Sequence, residues 1–482
     1  MSFGEDKCAY VNIEKGVRKS LGESIEMNGV TIKELEQEET YKYLGLDESV
    51  KCSHVINKEN IKKEYNRRIR KIWSSELNAY NKVTATNVFA VPVITYSFGL
   101  VEWTNEDIKQ FDIRTRKVMN MHNSLHRRSD VDRLYISRKN GGRGIRNIED
   151  EFTSKIISLI HHVNEAKNDN KFLQKVYESE ESKLRTVAAE MRKSLNIGED
   201  ELINSAKVKL QKLKLEAWKQ KSVHGYFLRK LDEISEDADM QQTWGWLQAS
   251  TLTSEVESYI CSLQDQEVNT KEAQKRHERN QAIKQTMDSR CRLCKKNEEN
   301  LQHILGVCPV ISSNLYLNAR HNPVAEVIYN EILKQNDIEN HNDHPVNVLV
   351  TENIDLWWDQ KITTPTAVAH NKPDIVIWDK HEKTCTIIDV SVPLDMNITK
   401  KAKEKRDNYI SLASELQRVY REYKFRVVPI IIGALGVIPK TLKSHLSELN
   451  FQPENINYII KTCQKKALIG SLKVVKTFMK MS

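Results

Sequence analysis

Three cysteines and one histidine form a compact group whose spacing is typical of a zinc site. Cys291 and Cys294 are separated by two residues. His303 and Cys308 follow with four residues between them, so that the whole pattern is C-x2-C-x8-H-x4-C. A two-residue gap lets two thiolates bind one tetrahedral ion, and because protein fills all four positions we predict a structural zinc rather than a catalytic one. The alternative is a chance grouping of buried thiols and a histidine.

Two aspartates farther along the chain form a second candidate site. Asp374 comes just before an apolar strand predicted at residues 375–378, and Asp389 interrupts a second apolar run at residues 387–390. A hairpin turn predicted at residues 379–384 would fold the two aspartates toward each other. Because a buried carboxylate is costly unless it is paired or bound to a cation, we predict that this pair binds catalytic Mg²⁺, which favours oxygen ligands.

A lysine on the next predicted helix, at about residues 397–424, completes this constellation. The residues that recur there at helical spacing, and therefore share one face, are Lys405, Tyr409, Leu412 and Leu416. A lysine on the packing face could lie along the edge of the core with its amine in solvent. Alternatively, Lys405 supplies a fixed positive charge that stabilises the transition state of phosphate chemistry or orients the attacking water.

The composition of the chain limits its class. Of 482 residues, 39% are hydrophobic and 29% are charged, which is typical of a soluble, charge-rich protein. No run approaches the roughly 20 apolar residues of a membrane helix, and the first residues lack the apolar core of a signal peptide. The net charge of +8 favours anionic partners only weakly. We therefore expect a protein of the cytosol or nucleus, without a membrane partner or a small-molecule substrate.

The chain is predicted to be a helix-rich, multidomain α+β protein. Only 16 glycines and 10 prolines occur in this length, which favours long helices. The predicted segments are short strands at 1–50, helices at 51–165, a charged helical linker or arm at 166–285, the zinc knuckle at 286–325 and an α/β region at 345–482. Thr104, with Asp107 three residues later, is predicted to cap one of the helices.

From Cys291 onward, the chain resembles the C-terminal half of non-LTR retrotransposon proteins of the restriction-like-endonuclease type, the lineage that inserts into ribosomal RNA genes. The shared elements are, in order, the zinc pattern, Arg-His-Asn at 320–322, Asn-Lys-Pro-Asp at 371–374, residues 388–390 with Pro393, residues 404–409, and residues 428–433. The resemblance implies a PD-(D/E)xK nuclease core whose lysine has moved to the following helix. Ser391 stands at the usual lysine position, and Lys405 replaces it. The implied catalytic set is Asp374, Asp389, Lys405 and Tyr409.

The resemblance extends upstream. Residues 3–9 and 41–45 resemble the end of a reverse-transcriptase palm, and residues 103–104, 132–135 and 141–144 resemble its thumb. No Tyr-x-Asp-Asp sequence occurs in the chain. We therefore expect an N-terminally truncated protein, whose RNA-directed DNA polymerase activity would belong to a longer parent.

Nucleic-acid contacts are predicted at basic residues in three places. Between residues 396 and 426, nine Lys or Arg stand against four Asp or Glu, which favours a DNA-facing helix. The predicted contacts are Arg292, Lys295 and Lys296 beside the zinc pattern, Arg133, Arg138 and Arg143 in the thumb-like region, and Lys401 and Arg406 on the basic helix. A solvated face explains such charges equally well.

The leading hypothesis is a metal-dependent endonuclease that nicks target DNA in the nucleus for target-primed reverse transcription. Its implied partners are target DNA and element RNA. The alternative is a catalytically inactive nucleic-acid-binding remnant of a truncated or domesticated retroelement. A partial gene whose upstream part encodes the polymerase is a third reading.

Overall fold

The computed structural model describes residues 8–27, 29–36, 39–48, 53–166, 168–178, 183–198, 203–311, 313–339 and 344–481. These residues form an α+β protein, as the sequence predicts. Of the polymerase-like motif at residues 3–9, only Cys8 and Ala9 fall within the described part. No helix there is both long and apolar enough to cross a membrane.

The N-terminal part of the chain contains short strands followed by helices. The strands are β1 (Ala9–Tyr10), β2 (Ile13–Glu14), β3 (Val17–Arg18), β4 (Ile25–Met27), β5 (Val30–Glu34), β6 (Tyr41–Tyr43) and β7 (Leu46–Glu48). The helices are α1 (His54–Ser74), α2 (Ala79–Ala85), α3 (Val91–Thr95), α4 (Asn105–Met121), α5 (Val131–Tyr135), α6 (Ile148–Ala166), α7 (Lys171–Glu178), α8 (Lys183–Ser194) and α9 (Ile203–Gln220).

The remaining helices precede and surround a larger sheet. They are α10 (Tyr226–Glu233), α11 (Met240–Thr243), α12 (Gly245–Gln248), α13 (Ser254–Gln264), α14 (Lys271–His277), α15 (Gln281–Thr286), α16 (Ser313–Tyr316) and α17 (Asn322–Gln335). The elements that follow are β8 (Val348–Val350), β9 (Ile354–Trp358), β10 (Ile375–Asp379), β11 (Thr384–Ser391), α18 (Ile398–Val419), β12 (Lys424–Ile431), α19 (Thr441–Glu448) and α20 (Pro453–Lys480). Three π-helical turns also occur in the described residues before this sheet, at Thr86–Ala90, His303–Val307 and Leu317–His321.

The chain divides into two compact units. The first contains residues 1–77, 81–122 and 144–214, and the second contains residues 78–80, 123–143 and 215–482. In the first unit, Thr104 and Asp107 form the predicted reciprocal cap at the start of α4. In the second unit, much of the segment predicted as a charged linker is core, because Trp218, Trp244 and Trp246 are buried there.

The sheet of the second unit has the strand order β12-β11-β10-β9-β8 in the described residues. The predicted hairpin is confirmed: β10 and β11 are antiparallel, with Ile375 opposite Ile388. Strand β12 runs parallel to β11. Helices α17, α19 and α20 cover the face that carries Ile388, and α18 covers the face that carries Ile387. Both faces are therefore buried, which explains the continuous apolar run in β11.

Helix α18 ends at Val419, before the predicted limit of about residue 424. Lys424 begins β12 and pairs with Thr384, so the chain must leave the helix earlier to reach the edge of the sheet. The predicted packing face is confirmed, since Tyr409, Leu412 and Leu416 are buried against the sheet.

Candidate active site and metal centre

The cysteine–histidine group converges as its spacing predicts. The ligand atoms of Cys291, Cys294, His303 and Cys308 all lie within 4.8 Å of one another. The sulfurs of Cys291 and Cys308 are 3.9 Å apart, and two thiolates about 2.3 Å from a tetrahedral zinc ion lie about 3.8 Å apart. Burial lowers the pKa of His303, which favours the neutral imidazole that a metal requires. The four residues could therefore hold a metal ion such as zinc.

Local backbone geometry brings the zinc-type ligands together. The Lys295 N–H donates to Cys291 O at 2.9 Å, and Lys295 adopts a left-handed φ of 58°, so the chain reverses directly after Cys294. His303 lies on a π-helical turn that ends just before Cys308. Single π-helical turns of this kind are frequent at functional sites.

The sheet register places the two predicted catalytic aspartates side by side. Because Ile375 pairs with Ile388, Asp374 stands opposite Asp389 one residue farther along. Side chains alternate between the faces of a strand. Val376 and Ile387 pack on the α18 side, so both carboxylates face α18 as well.

Lys405 reaches this pair from α18. Its Nζ lies 2.6 Å from Oδ2 of Asp389, whose side chain is only 3% exposed. Burial, together with the neighbouring Asp374 carboxylate, raises the pKa of Asp389 to about 6, although Lys405 opposes the shift. A perturbed acid beside a fixed cation is typical of a site that performs chemistry.

His321, which the sequence singled out only within the Arg-His-Asn motif at 320–322, is also a member of this site. Its Nε2 lies 3.2 Å from Asp374 Oδ2 and 3.0 Å from Val390 O. The Val390 N–H also donates to Asp374 Oδ2, at 2.6 Å. Burial favours the neutral acid, but the bonds from His321 and Val390 hold the pKa of Asp374 below its ordinary value. Although burial disfavours its charged form, Asp374 raises the pKa of His321 to about 9.

Tyr409 lies one helical turn beyond Lys405 and anchors the backbone that leads to Asp374. Its hydroxyl donates to Lys372 O at 2.9 Å. Burial and the nearby Asp389 carboxylate raise the pKa of Tyr409, so the hydroxyl stays protonated. This bond holds the backbone two residues before Asp374, and the predicted catalytic role of Tyr409 stays a prediction.

The three thumb-like arginines do not fit their predicted role in nucleic-acid binding. Arg133 is 1% exposed, Arg138 8% and Arg143 2%. Arg133 pairs with Asp265 at 2.7 Å, while Arg138 and Arg143 both pair with Glu257. This part of the prediction is wrong, because buried guanidinium groups bound to carboxylates are not accessible to phosphates.

The other predicted nucleic-acid contacts differ in accessibility. Arg292 donates to both oxygens of buried Glu299, at 2.6 and 2.9 Å. Lys401 pairs with Glu404 at 2.6 Å. The residues that remain exposed are Lys295, Lys296 and Arg406.

Comparison with known proteins gives little further information. No protein-family profile matches the chain. A stretch of 144 residues is 26% identical to an uncharacterized protein of Caenorhabditis elegans, and the match covers 30% of this chain and 40% of that protein. The chain thus spans well under two thirds of the length of this relative. The retrotransposon resemblance therefore remains a prediction from the sequence.

Proposed function

We propose that this chain is the endonuclease part of a non-LTR retrotransposon protein that nicks target DNA in the nucleus for target-primed reverse transcription. The observation that supports this proposal is the convergence of Asp374, Asp389 and Lys405 on the face of the sheet that α18 covers, with Lys405 Nζ 2.6 Å from Asp389. These residues come from the motifs that carry the resemblance. The arrangement would correspond to a PD-(D/E)xK core with its lysine on the helix.

In this proposal, Asp374 and Asp389 would hold a divalent cation such as Mg²⁺. Asp389 Oδ2 is buried, and apart from its ion pair with Lys405 it accepts no hydrogen bond from the described residues. Two adjacent carboxylates repel when both are ionised, as the raised pKa of Asp389 indicates. When bound, such an ion activates a water molecule and neutralises the scissile phosphate.

The protein's own groups would hold and stabilise the reacting phosphate. In the proposed hydrolysis, water adds to phosphorus and the bond from phosphorus to the 3′ oxygen breaks. The 3′ oxygen takes a proton and leaves as a hydroxyl. The ammonium group of Lys405 would stabilise the negative charge that develops on the phosphate oxygens. Tyr409 would keep the segment before Asp374 in place through its bond to Lys372 O.

A plasmid-nicking assay tests this proposal. We expect the full zinc-loaded chain to convert supercoiled DNA to the open circle in the presence of Mg²⁺ or Mn²⁺. Asp374→Asn and Asp389→Asn should each lower the rate by about 100-fold or more, the loss typical of removing one preorganised catalytic group. The nick should carry a 3′-hydroxyl that a DNA polymerase extends.

Asp407→Asn is the matched control, because Asp407 is an exposed aspartate on the same helix as Lys405. This variant should nick DNA at the native rate. DNA binding without nicking under either metal ion would contradict the endonuclease and favour the alternative, a catalytically inactive nucleic-acid-binding remnant.

A further inference from the structure

The outer face of the last helix, α20, carries positive charge without any negative charge. Residues 455–480 contain six lysines and no aspartate or glutamate, although the whole chain has 74 basic residues against 66 acidic ones. The six are Lys461, Lys465, Lys466, Lys473, Lys476 and Lys480. Among the residues that the structure describes, none of them forms an ion pair with a carboxylate. Their charges are therefore available to a partner.

Helical spacing gathers these charges into one stripe. Tyr458, Lys465, Ile469, Lys476 and Lys480 follow one another at intervals of seven, four, seven and four residues, so they share one face of the helix. The other three lysines lie on either side of this line. At 1.5 Å per residue, the lysines extend over about 28 Å of the helix. We call this surface the α20 lysine stripe.

The lysines of the stripe repel one another. Lys461 and Lys465 are four residues apart, as are Lys476 and Lys480, and like charges at this spacing destabilise a helix. The helix dipole favours a cation only in the last turn, so it compensates for Lys480 but not for the lysines near the start. A bound polyanion would remove the repulsion along the whole stripe.

Two exposed tyrosine rings lie beside these lysines. Tyr458, on α20 itself, is 55% exposed, and Tyr259, on α13, is 39% exposed. Lys476 Nζ lies 4.4 Å from the centre of the Tyr259 ring. Exposed aromatic rings on a basic track are typical of surfaces that bind single-stranded nucleic acid, because the bases stack on the rings while the cations contact the phosphates.

The stripe does not have the features of a membrane-binding or protein-binding helix. A helix that lies on a membrane places its apolar face in the lipid, whereas the apolar face of α20 is buried in the core. Lysine is depleted from the centres of protein–protein interfaces. A polynucleotide therefore fits the stripe better than a lipid surface or a protein.

The stripe is separated from the candidate active site by the sheet. Helix α20 packs with α17 and α19 on the face that carries Ile388, whereas Asp374 and Asp389 face α18. Duplex DNA has a persistence length of about 50 nm, so it is too stiff to reach both faces of one small sheet. A single strand is flexible enough to do so.

We propose that the α20 lysine stripe binds single-stranded DNA, with its phosphates on the lysines and its bases on Tyr458 and Tyr259. The choice of DNA rests on the proposed nuclease function, because a nick creates a strand end that can separate from its duplex. The preference for a single strand rests on the stripe and its tyrosines alone.

Fluorescence anisotropy of the full zinc-loaded chain with a labelled single strand of about 20 nucleotides, without Mg²⁺, tests the lysines. Lys473→Gln with Lys476→Gln should weaken binding about 10-fold and lower the slope of log K against log salt by up to about 0.7 for each lost phosphate contact. Lys63→Gln with Lys109→Gln removes the same charge from exposed positions on α1 and α4 and should bind as the native protein does. Native affinity and slope in the Lys473 and Lys476 variant overturn the proposal.

Substitutions of Tyr458 test the preference for a single strand. Tyr458→Ala should weaken binding of the single strand by about 5-fold or more, the usual loss when one stacked base loses its ring, and should leave binding of a duplex of the same sequence unchanged. Tyr458→Phe keeps the ring and should retain native binding. A duplex that binds as tightly as the single strand contradicts the proposal.

Other polyanions test the identity of the ligand. RNA of the same sequence that binds through the lysines about 10-fold more tightly than DNA would overturn the assignment to DNA. Phosphatidylserine vesicles that bind through the lysines, when no single strand does, would overturn a nucleic-acid ligand.

The outcomes for the stripe and for the nuclease are distinguishable. A protein that nicks DNA, but whose Lys473 and Lys476 variant binds single strands natively, would overturn the inference alone. A protein that binds single strands through the stripe and cuts no DNA would overturn the nuclease proposal alone.

Discussion

Asp389 is a charged residue in the middle of a strand buried on both sides. Its neighbours Ile388 and Val390 are fully buried, and the Lys405 amine, 2.6 Å away, supplies the nearest opposite charge. Replacing a buried ion pair by apolar residues of similar size is often neutral or stabilising. Stability alone therefore does not account for the buried pair and the opposite Asp374, and the proposed catalytic site would account for both.

At the residue scale, the zinc group gives a direct prediction. Cys294→Ser removes one of four converging ligands. Each ligand contributes much to the free energy of zinc binding, because this free energy is about 10–16 kcal/mol in small zinc domains. We expect the zinc content, measured by atomic absorption after dialysis against a mild chelator, to fall from one ion per chain to nearly none.

Cys385→Ala is the control for this measurement. Cys385 is also a buried thiol, but it lies on β11, outside the zinc group. We expect this variant to retain one zinc ion per chain. A Cys294→Ser protein that also retained its full zinc content would rule out the four-ligand site.

At the scale of elements, α20 fixes the π-helical turn that carries His321. A Cβ atom at Gly470 would lie 2.3 Å from Ala319 O and 2.6 Å from Arg320 Cα. Only glycine allows α20 to approach this backbone so closely. The position of His321 therefore depends on a helix that is about 150 residues away in the sequence.

Gly470→Ala tests this contact. Because the obstructing atoms are backbone, α20 and the turn must separate, and we expect the free energy of unfolding to fall by about 1–3 kcal/mol, the usual cost of overpacking. Urea denaturation measures this change.

Gly245→Ala is the matched control for this experiment. The nearest atom to a Cβ at Gly245 would be 3.7 Å away, an ordinary contact distance, so stability should change by less than about 0.5 kcal/mol. Equal stability of the two variants would contradict the close packing of α20 on the turn.

At the scale of the whole molecule, buried ion pairs connect distant parts of the second unit. Glu257 on α13 binds both Arg138 and Arg143, at 2.7 and 2.9 Å, and Asp265 binds Arg133 at 2.7 Å. These contacts join the segment at residues 123–143 to the rest of that unit. The arginines thus stabilise the fold.

Glu257→Gln should separate folding from nucleic-acid binding. Removing one partner of a buried ion pair costs about 3–5 kcal/mol, so we expect a large loss of stability in urea denaturation. The salt dependence of DNA binding should not change, because the buried arginines contact no phosphate.

The double variant Lys295→Ala and Lys296→Ala should leave stability unchanged and alter DNA binding instead. The slope of log K against log salt should fall by up to about 0.9 for each lost phosphate contact.

A change in the salt dependence of DNA binding on removal of one of these arginines would show that they contact nucleic acid. In that case, Arg143→Ala would reduce the salt slope, measured by fluorescence anisotropy at several salt concentrations. A native slope with reduced stability supports their structural role.

The sequence by itself determined the features that depend on short-range spacing. The C-x2-C-x8-H-x4-C pattern predicted the converging ligands, and strand alternation predicted the hairpin that brings Asp374 to Asp389. Helical periodicity placed Tyr409 on the packing face of α18, together with Lys405, which contacts Asp389. These predictions succeeded because each feature depends on residues that are close together in the sequence: the turn that carries two zinc ligands, the register of a hairpin and the buried face of a helix.

Only the tertiary structure decided which distant residues meet. The sequence assigned Arg133, Arg138 and Arg143 to nucleic acid, yet α13 provides carboxylates that bury them. It singled out His321 only within a motif, although His321 lies 3.2 Å from Asp374, which is 53 positions later. A basic or imidazole side chain looks the same in sequence whether it faces solvent, a carboxylate or a metal site. Its partner is chosen by contacts between elements that no local pattern encodes.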